Sequence, residues 1–201
     1  MIKWFPSLQV CFSDESVFSI CEDSSQYVRR AADEEFSEQC VAQTVKHPTS
    51  AMVWSIMSAQ GTGRLYIVEG SMNQHQYRKV LETRLLLQLK DWFPEGDFVF
   101  MHDGAPCPKG KSITKFLAEK DVKTLPWPGN SPDMNPIENL WGIVKKRLKK
   151  INITTKVQLI ENLIQIWHRD DEIKNKCSIL IESMPRRIEL LIKNKGMHTK
   201  Y

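Results

Sequence analysis

Short apolar runs separated by polar segments predict five strands. Residues 8–13 form one such run, which ends at a carboxylate. Runs at 51–58 and 64–68 flank a turn-rich stretch of hairpin length, which predicts an antiparallel pair. Residues 98–101 are apolar throughout, as expected of a central strand buried on both faces, and 122–125 are a further strand candidate. The pattern predicts a sheet that contains both a hairpin and a buried central strand.

Helical spacing of apolar residues appears after the hairpin and again after the central strand. Asn73 is a favourable N-cap, and Gln76 completes a capping box. The apolar residues that follow at helical spacing are Tyr77, Val80, Leu81, Leu85 and Leu89. A second, shorter helix is predicted in which Ile113, Phe116 and Leu117 face inward.

The helix that follows Asn135 has the clearest start signal in the chain. Asn135 is a good N-cap, Pro136 occupies the first helical position, and Glu138 falls at the capping-box position. The apolar stripe of this helix consists of Ile137, Leu140, Trp141, Val144 and Leu148. The spacing therefore predicts a helix with one face in the core.

Two or three further helices are predicted to close the chain. One covers about 155–168, and others lie within 171–195, with Gly196 as a stop signal. Strands alternating with helices are typical of an α/β fold around a mixed sheet. We expect a single domain, in which 1–150 form the core and 151–201 form a C-terminal helical extension packed on it.

The composition is ordinary for a globular protein of 201 residues, with 41% hydrophobic and 26% charged residues. These values exclude a disordered, collagenous or coiled-coil chain. No apolar run approaches the ~18 residues of a membrane-spanning helix, and the N-terminal segment does not resemble a signal peptide, so we expect an intracellular protein without membrane contact. Five scattered cysteines without close pairs predict neither a disulfide framework nor a zinc site.

Charge is distributed unevenly between the two halves of the chain. Residues 1–103 carry 9 basic and 14 acidic side chains, whereas 104–201 carry 19 basic and 10 acidic ones. The net charge is therefore −5 in the first half and +9 in the second. Such asymmetry indicates an anionic partner that meets the C-terminal half.

Three acidic residues are placed where this order of elements gathers them. Asp14 ends the first predicted strand, Asp103 ends the fourth, and Glu138 begins the helix after the fifth. Carboxylates that converge without a basic neighbour repel one another unless cations neutralise them. Magnesium prefers oxygen ligands of this kind. The positions therefore favour a site for a pair of magnesium ions.

Each of these acids also has an ordinary structural interpretation. Asp14 fits the end of a strand, Asp103 followed by glycine fits a turn, and Glu138 fits a helix cap. Asp133 lies in a turn-rich segment, which favours a turn role over metal binding. Glu15 points to the opposite face from Asp14 if the first strand continues.

Three segments resemble the DDE transposases of the Tc/mariner superfamily. They are FSDESVF at 12–18, FMHDGAPC at 100–107 and LPWPGNSPDMNPIENLW at 125–141. Thirty-four residues separate Asp103 from Glu138, an interval associated with the Tc branch. The similarity extends over nearly the whole chain, from about Trp4 to the C-terminus.

The resemblance implies an RNase H-like fold in which Asp14, Asp103 and Glu138 are the catalytic, metal-binding residues. Two magnesium or manganese ions are then the cofactors, with no small-molecule cofactor. The implied reaction is cleavage of double-stranded DNA at transposon ends and strand transfer into TA target sites, which are easily deformed. A homodimer is compatible with this family, and a nuclear location is expected.

Two features differ from the usual family pattern. The family commonly has an N-terminal helix-turn-helix reader, which we expect this chain to lack. Asn and His of the usual DNAPCH motif are replaced by Gly104 and Pro108. One alternative is therefore a catalytically impaired, transposon-derived DNA-binding remnant, and another is a structure-directed nuclease of RNase H type.

A basic run lies on the Glu138 helix and at its end. Its members are Lys145, Lys146, Arg147, Lys149 and Lys150. Helical geometry places Lys145 and Lys149 on the side of Glu138, which favours contact with DNA phosphates. A solvated helix end is the alternative. For Trp127 and Trp141, packing is favoured over base stacking.

Overall fold

The computed structural model describes residues 9–20, 49–102, 110–127, 131 and 134–196. These residues form one mixed five-stranded sheet with helices on both faces. The strands are β1 (Val10–Ser19), β2 (Ser50–Ser58), β3 (Gly61–Thr62), β4 (Tyr66–Val68) and β5 (Val99–Met101). The order across the sheet is β3-β2-β1-β5, and β4 also pairs with β2.

β1 lies in the middle of the sheet and pairs in two directions. It runs antiparallel to β2, with Phe12 opposite Met57 and Asp14 opposite Ser55. It runs parallel to β5, with Phe12 opposite Met101. The predicted first strand was wrong at its end, because β1 continues to Ser19 and Asp14 lies in its interior. Pairing with β2 extends the strand through a polar stretch that apolar content alone does not mark.

The predicted hairpin and central strand are confirmed. β2 pairs antiparallel with both β3 and β4, and β5 is buried along its length. The predicted strand over 122–125 is reduced to a single parallel bridge between Phe100 and Thr124. Two backbone hydrogen bonds, both 2.8 Å long, support this bridge: Phe100 N–H donates to Lys123, and Leu125 N–H donates to Phe100.

One face of the sheet is covered by the helices nearest to the hairpin and β5. They are α1 (Gln74–Val80), a π-helical turn (Leu81–Leu85), α2 (Leu86–Trp92) and α3 (Gly110–Glu119). The predicted capping box of α1 is confirmed, since Asn73 and Gln76 bond reciprocally. The predicted inward residues of α3, Ile113, Phe116 and Leu117, are buried with Cys11, Trp54 and Phe100 in one apolar cluster.

The opposite face carries the remaining helices. They are α4 (Pro136–Leu148), α5 (Lys156–Arg169), α6 (Asp171–Glu182) and α7 (Met184–Lys193). The predicted apolar stripe of α4 is confirmed, since all five residues are buried. Gly196 follows α7 with φ of 81° and donates its N–H to Leu191, as expected of a C-terminal stop.

A single apolar cluster joins α4, α5 and α6 to β1 and β2, and Met184 of α7 belongs to it. The helices after residue 150 thus share a core with the sheet, and the boundary at that residue stays a prediction. No helix in the described ranges is long and apolar enough to cross a membrane.

Candidate active site

Asp14 and Glu138 meet where α4 packs on β1. Asp14 is in the interior of β1, and Glu138 is in the first turn of α4. Their side chains hydrogen-bond to each other. Two carboxyl groups share a hydrogen bond only if one of them is protonated, as expected of Asp14 below its raised pKa.

Burial of the Asp14 carboxyl group is the largest cause that raises its pKa, to about 8. The negative charges of Glu138 and then Glu15 raise the pKa further, and the hydrogen bond with Glu138 acts in the same direction. A hydrogen bond with the backbone of Glu15 opposes the change. The site therefore disfavours a second negative charge, as expected of carboxylates that a cation normally separates.

The indole of Trp141 is a third partner in this site. Its Nε1–H donates to Oδ2 of Asp14 over 3.1 Å. The indole stacks on Trp167, with ring centroids 4.3 Å apart and an interplanar angle of 23°, and it meets Phe18 edge-on at 5.7 Å. All three aromatic side chains are buried, so the donor that Asp14 uses is held rigidly.

Asn135 connects the start of α4 to β1, and the capping box predicted there is wrong. Asn135 makes no side-chain capping bond; its Nδ2 donates to the backbone oxygen of Ser13 over 3.3 Å. Its Oδ1 is buried and has no hydrogen-bond partner among the residues that the structure describes. The Ser13 hydroxyl donates to the carbonyl of Met101 over 3.1 Å. These bonds join α4, β1 and β5 beside Asp14.

The third predicted acid, Asp103, lies outside the described residues, as do Gly104, Pro108 and Asp133. β5 ends at Met101, two residues before Asp103. Within the ranges that are described, no group of three or more His, Cys, Asp or Glu side chains forms a metal site. The structure thus brings together two of the three predicted carboxylates.

Comparison with known proteins establishes the family. The DDE superfamily endonuclease family matches residues 9–160. The Tcb2 transposase of Caenorhabditis briggsae is 31% identical over 192 residues, which cover 94% of this chain and 69% of that protein. The Tc1 transposase of Caenorhabditis elegans is 32% identical, with the same coverage. This chain belongs to the DDE superfamily. The resemblance to Tc/mariner transposases is confirmed, and the chain is a DDE transposase catalytic domain of that type.

Solved structures confirm the RNase H-like fold of the DDE domain. The Mos1 mariner paired-end complex with Mn matches with a TM-score of 0.76 at 17% identity, covering 96% of this chain and 57% of that chain. The catalytic domain of Mos1 mariner transposase matches with a TM-score of 0.69 at 17% identity, covering 96% of this chain and 85% of that one. The chain thus spans little more than half of the Mos1 chain in the paired-end complex.

The members of the basic run of the DDE domain differ in their surroundings. Arg147 pairs with two acidic residues at the start of α6: its Nε lies 3.4 Å from Asp170, and its Nη2 contacts Glu172. The Lys145 ammonium lies 5.7 Å from the Phe18 ring centroid. The other members, Lys146, Lys149 and Lys150, are exposed. Arg147 therefore links two helices, and DNA binding by the run stays a prediction.

Packing roles predicted for two tryptophans agree with the contacts of the DDE domain. Trp127 meets Phe12 edge-on at 6.0 Å, and Trp141 is buried. Glu15 lies opposite Trp54 on β2, whereas Asp14 lies opposite Ser55, so the two acids alternate between faces as predicted.

The contacts of Trp141 and Asn135 with β1 were not predicted from the sequence. One signal was present for Trp141, which follows Glu138 by three residues and so lies on the same side of the helix. No comparable signal exists for Asn135, because its amide side chain and its position before the helix are also those of an N-cap residue that bonds to its own helix.

The donor set of the DDE domain fits a divalent cation. Asp14 and Glu138 present carboxylate oxygens, the ligands that magnesium and manganese prefer. A cation between them would take the place of the shared proton and remove the repulsion that raises the pKa of Asp14. The two side chains are thus suited to such a cation in charge and in chemistry.

Proposed function

We propose that this domain cuts double-stranded DNA at transposon ends and joins the freed ends to target DNA, with divalent metal held by Asp14, Asp103 and Glu138. The observation that carries the proposal is the contact between Asp14 and Glu138. Asp14 comes from a central strand and Glu138 from a helix far along the chain. The domain matches the DDE endonuclease family and keeps these two acids in contact. It therefore retains the paired carboxylates that metal-dependent DNA cleavage requires.

Strand register supports Asp103 as the third ligand. β1 and β5 are parallel neighbours, and Phe12 pairs with Met101. Asp14 lies two residues after Phe12, and Asp103 lies two residues after Met101. Residues at equal distances beyond a parallel pair lie near the same edge of a sheet when both strands keep their direction.

Divalent metal is supported by solved structures of Mos1 with Mn and with Mg. Two such ions in a carboxylate site supply an activated nucleophile and stabilise the leaving oxygen at phosphorus. Asp14 and Glu138 would hold the metal through their carboxylate oxygens, and Asp14, whose pKa is raised, would release its proton when metal binds. The fixed start of α4 keeps the two carboxylates from separating.

DNA as the partner is supported by two properties. The Mos1 structures include a paired-end complex with the left transposon end and a strand transfer complex. In this chain the C-terminal half carries a net charge of +9, and the exposed lysines of α4 and its end are free to approach phosphates. We also propose TA target sites, a homodimer and a nuclear location, which the family resemblance implies.

Cleavage of a transposon-end duplex in Mn²⁺ tests the proposal. We expect the wild-type chain to nick the duplex, and we expect the nicking rate of Glu138→Gln to be at least about 100-fold lower. This substitution keeps the shape of the side chain but removes its charge. Glu161→Gln changes an exposed glutamate on α5 and is expected to leave the rate unchanged. Equal rates in wild type and Glu138→Gln would contradict the proposed function.

A further inference from the structure

We infer that Trp141 is a positioning residue that fixes the Asp14 carboxylate for metal binding. The inference rests on the proposed function, because it assigns a role around the same metal site. Trp141 contacts neither DNA nor metal in this role; it acts through Asp14. The contact is a hydrogen bond of 3.1 Å between the indole Nε1–H and Oδ2 of Asp14.

Trp141 and Glu138 are both partners of Asp14, but they differ in their relation to a bound cation. Glu138 is itself a proposed metal ligand. An indole nitrogen is a donor only and keeps its proton at every accessible pH. Trp141 therefore remains bonded to Oδ2 and leaves the other oxygen of Asp14, together with the remaining lone pairs, for metal.

The donor is held from two sides. Trp141 is 1% exposed and lies between the stacked ring of Trp167 and the edge of Phe18. Trp167 is itself fixed, because its Nε1–H donates to the carbonyl of Gly63 over 2.9 Å. A metal ligand oriented by such a rigid donor loses less freedom on binding, as seen where outer partners orient ligating side chains.

The position of Trp141 on α4 couples the two carboxylates. Glu138 lies one turn before Trp141 on the same helix, and Trp141 reaches across to Asp14 on β1. Any shift of α4 would move Glu138 and the Asp14 donor together. One helix thus sets both the spacing of the pair and the rotation of the Asp14 carboxylate.

Trp167 provides a matched control for a packing role. It is fully buried, stacks on the same neighbour and donates one indole hydrogen bond of similar length. Its bond, however, ends on a backbone carbonyl rather than on a metal-binding carboxylate. Trp141→Phe and Trp167→Phe therefore remove comparable packing and comparable hydrogen bonds, but only the first changes Asp14.

Binding of Mn²⁺ to the 201-residue chain, followed by the electron paramagnetic resonance signal of free Mn²⁺, separates these roles. We expect Trp141→Phe to weaken Mn²⁺ binding by about 10- to 100-fold, the range typical of lost outer partners. We expect Trp167→Phe to weaken Mn²⁺ binding much less than Trp141→Phe, because phenylalanine keeps an aromatic ring against Trp141 and the donor to Asp14 stays in place. Equal effects of the two substitutions would overturn the inference.

A second replacement covers the case in which Trp141→Phe fails to fold. Benzothienylalanine at position 141 keeps the shape of the indole and replaces its N–H by sulfur, so packing is retained while the donor is lost. We expect the same 10- to 100-fold weakening. Wild-type affinity in this folded variant would overturn the inference.

An Asp14→Asn background tests whether Trp141 acts through Asp14. If it does, adding Trp141→Phe to Asp14→Asn produces no further loss of Mn²⁺ binding, because the partner of the indole is already altered. Additive losses would contradict the role through Asp14. Failure of the wild-type chain to bind Mn²⁺ at all is a different result, which would overturn the proposed function together with this inference.

Discussion

The carboxyl groups of Asp14 and Glu138 hydrogen-bond to each other although they come from the first strand and the fourth helix. Their contact requires β1 to lie at the centre of the sheet and α4 to pack directly on it. The burial that raises the pKa of Asp14 also makes two free negative charges unfavourable there. The fold therefore maintains a site whose charge is balanced by a proton or by a cation.

The stability of the metal-free protein is predicted to fall as pH rises from about 4 to about 8. Asp14 has a raised pKa when folded, from 3.8 to about 8, so the folded state binds more protons than the unfolded state in this window. At ~1.4 kcal/mol per pKa unit, the loss amounts to several kcal/mol.

Urea denaturation in a chelating buffer at several pH values measures this loss. Asp14→Asn removes the titrating group and is expected to flatten the dependence between pH 4 and 8. A stability that changes with pH in the same way in wild type and Asp14→Asn would show that the Asp14 environment is described wrongly.

Divalent metal is predicted to stabilise the wild-type chain and not Glu138→Gln. Ligand at 100 times its dissociation constant adds ~2.7 kcal/mol, which corresponds to about 5–10 °C in a chain of this size. Thermal unfolding with and without Mn²⁺ measures the shift. Glu161→Gln serves as the control and should shift like wild type. A full shift in Glu138→Gln would remove Glu138 from the metal site.

Replacing Arg147 is predicted to change the stability of the protein, whereas replacing its neighbour Lys146 is predicted to change DNA binding. Arg147→Gln breaks the ion pairs with Asp170 and Glu172 and should cost about 1 kcal/mol of stability, since these pairs are partly exposed. Lys146→Gln changes an exposed side chain and should leave stability unchanged. It should reduce the slope of log affinity for DNA against log salt concentration by the amount expected for about one lost phosphate contact.

Denaturation curves and DNA titrations at several salt concentrations separate the two effects. The same salt slope in wild type and Lys146→Gln would exclude a phosphate contact for that residue.

Two glycines are predicted to respond in opposite ways to replacement by alanine. A Cβ at Gly63 would lie 2.5 Å from Ile56 Cγ1 and 3.1 Å from the Ile56 carbonyl, so Gly63→Ala should cost about 1–3 kcal/mol. A Cβ at Gly142 would meet no atom within 4 Å among the described residues, apart from its chain neighbours and the backbone of its own helix. Gly142→Ala, in the interior of α4, should therefore add about 0.5–1 kcal/mol. Chemical denaturation measures both, and a stabilised Gly63→Ala would contradict the close packing of the β3–β4 segment.

Local signals in the sequence predicted most of the helices. The capping box at Asn73 and Gln76 and the apolar stripe of α4 each depend on residues a few positions apart, and both are present. The end of β1 could not be predicted in this way. Its middle, residues 13–16, is polar and becomes part of a strand through pairing with β2, which is a long-range interaction.

The same distinction applies to the site. Asp14 and Glu138 were identified from their positions at element ends and from the family resemblance. Asn135 is the N-cap residue of α4, as predicted, but the bond that its side chain makes was not predicted, because a capping amide and an amide that bonds to a neighbouring strand look alike in sequence. Only the packing of α4 on β1 turns this amide toward Ser13. In the sequence, Arg147 belongs to a basic run that suits DNA binding. Its acidic partners, Asp170 and Glu172, lie more than 20 residues later and meet it only in the folded structure.

Anomalous diffraction from crystals of the 201-residue chain soaked in Mn²⁺ tests the central claim most directly. We predict an Mn²⁺ peak that lies about 2.1 Å from a carboxylate oxygen of Asp14 and at the same distance from one of Glu138. This distance is typical of small divalent cations. The same crystals would show whether Asp103 joins them. An ordered, metal-free Asp14–Glu138 pair at saturating Mn²⁺, or a peak only elsewhere in the domain, would contradict the account.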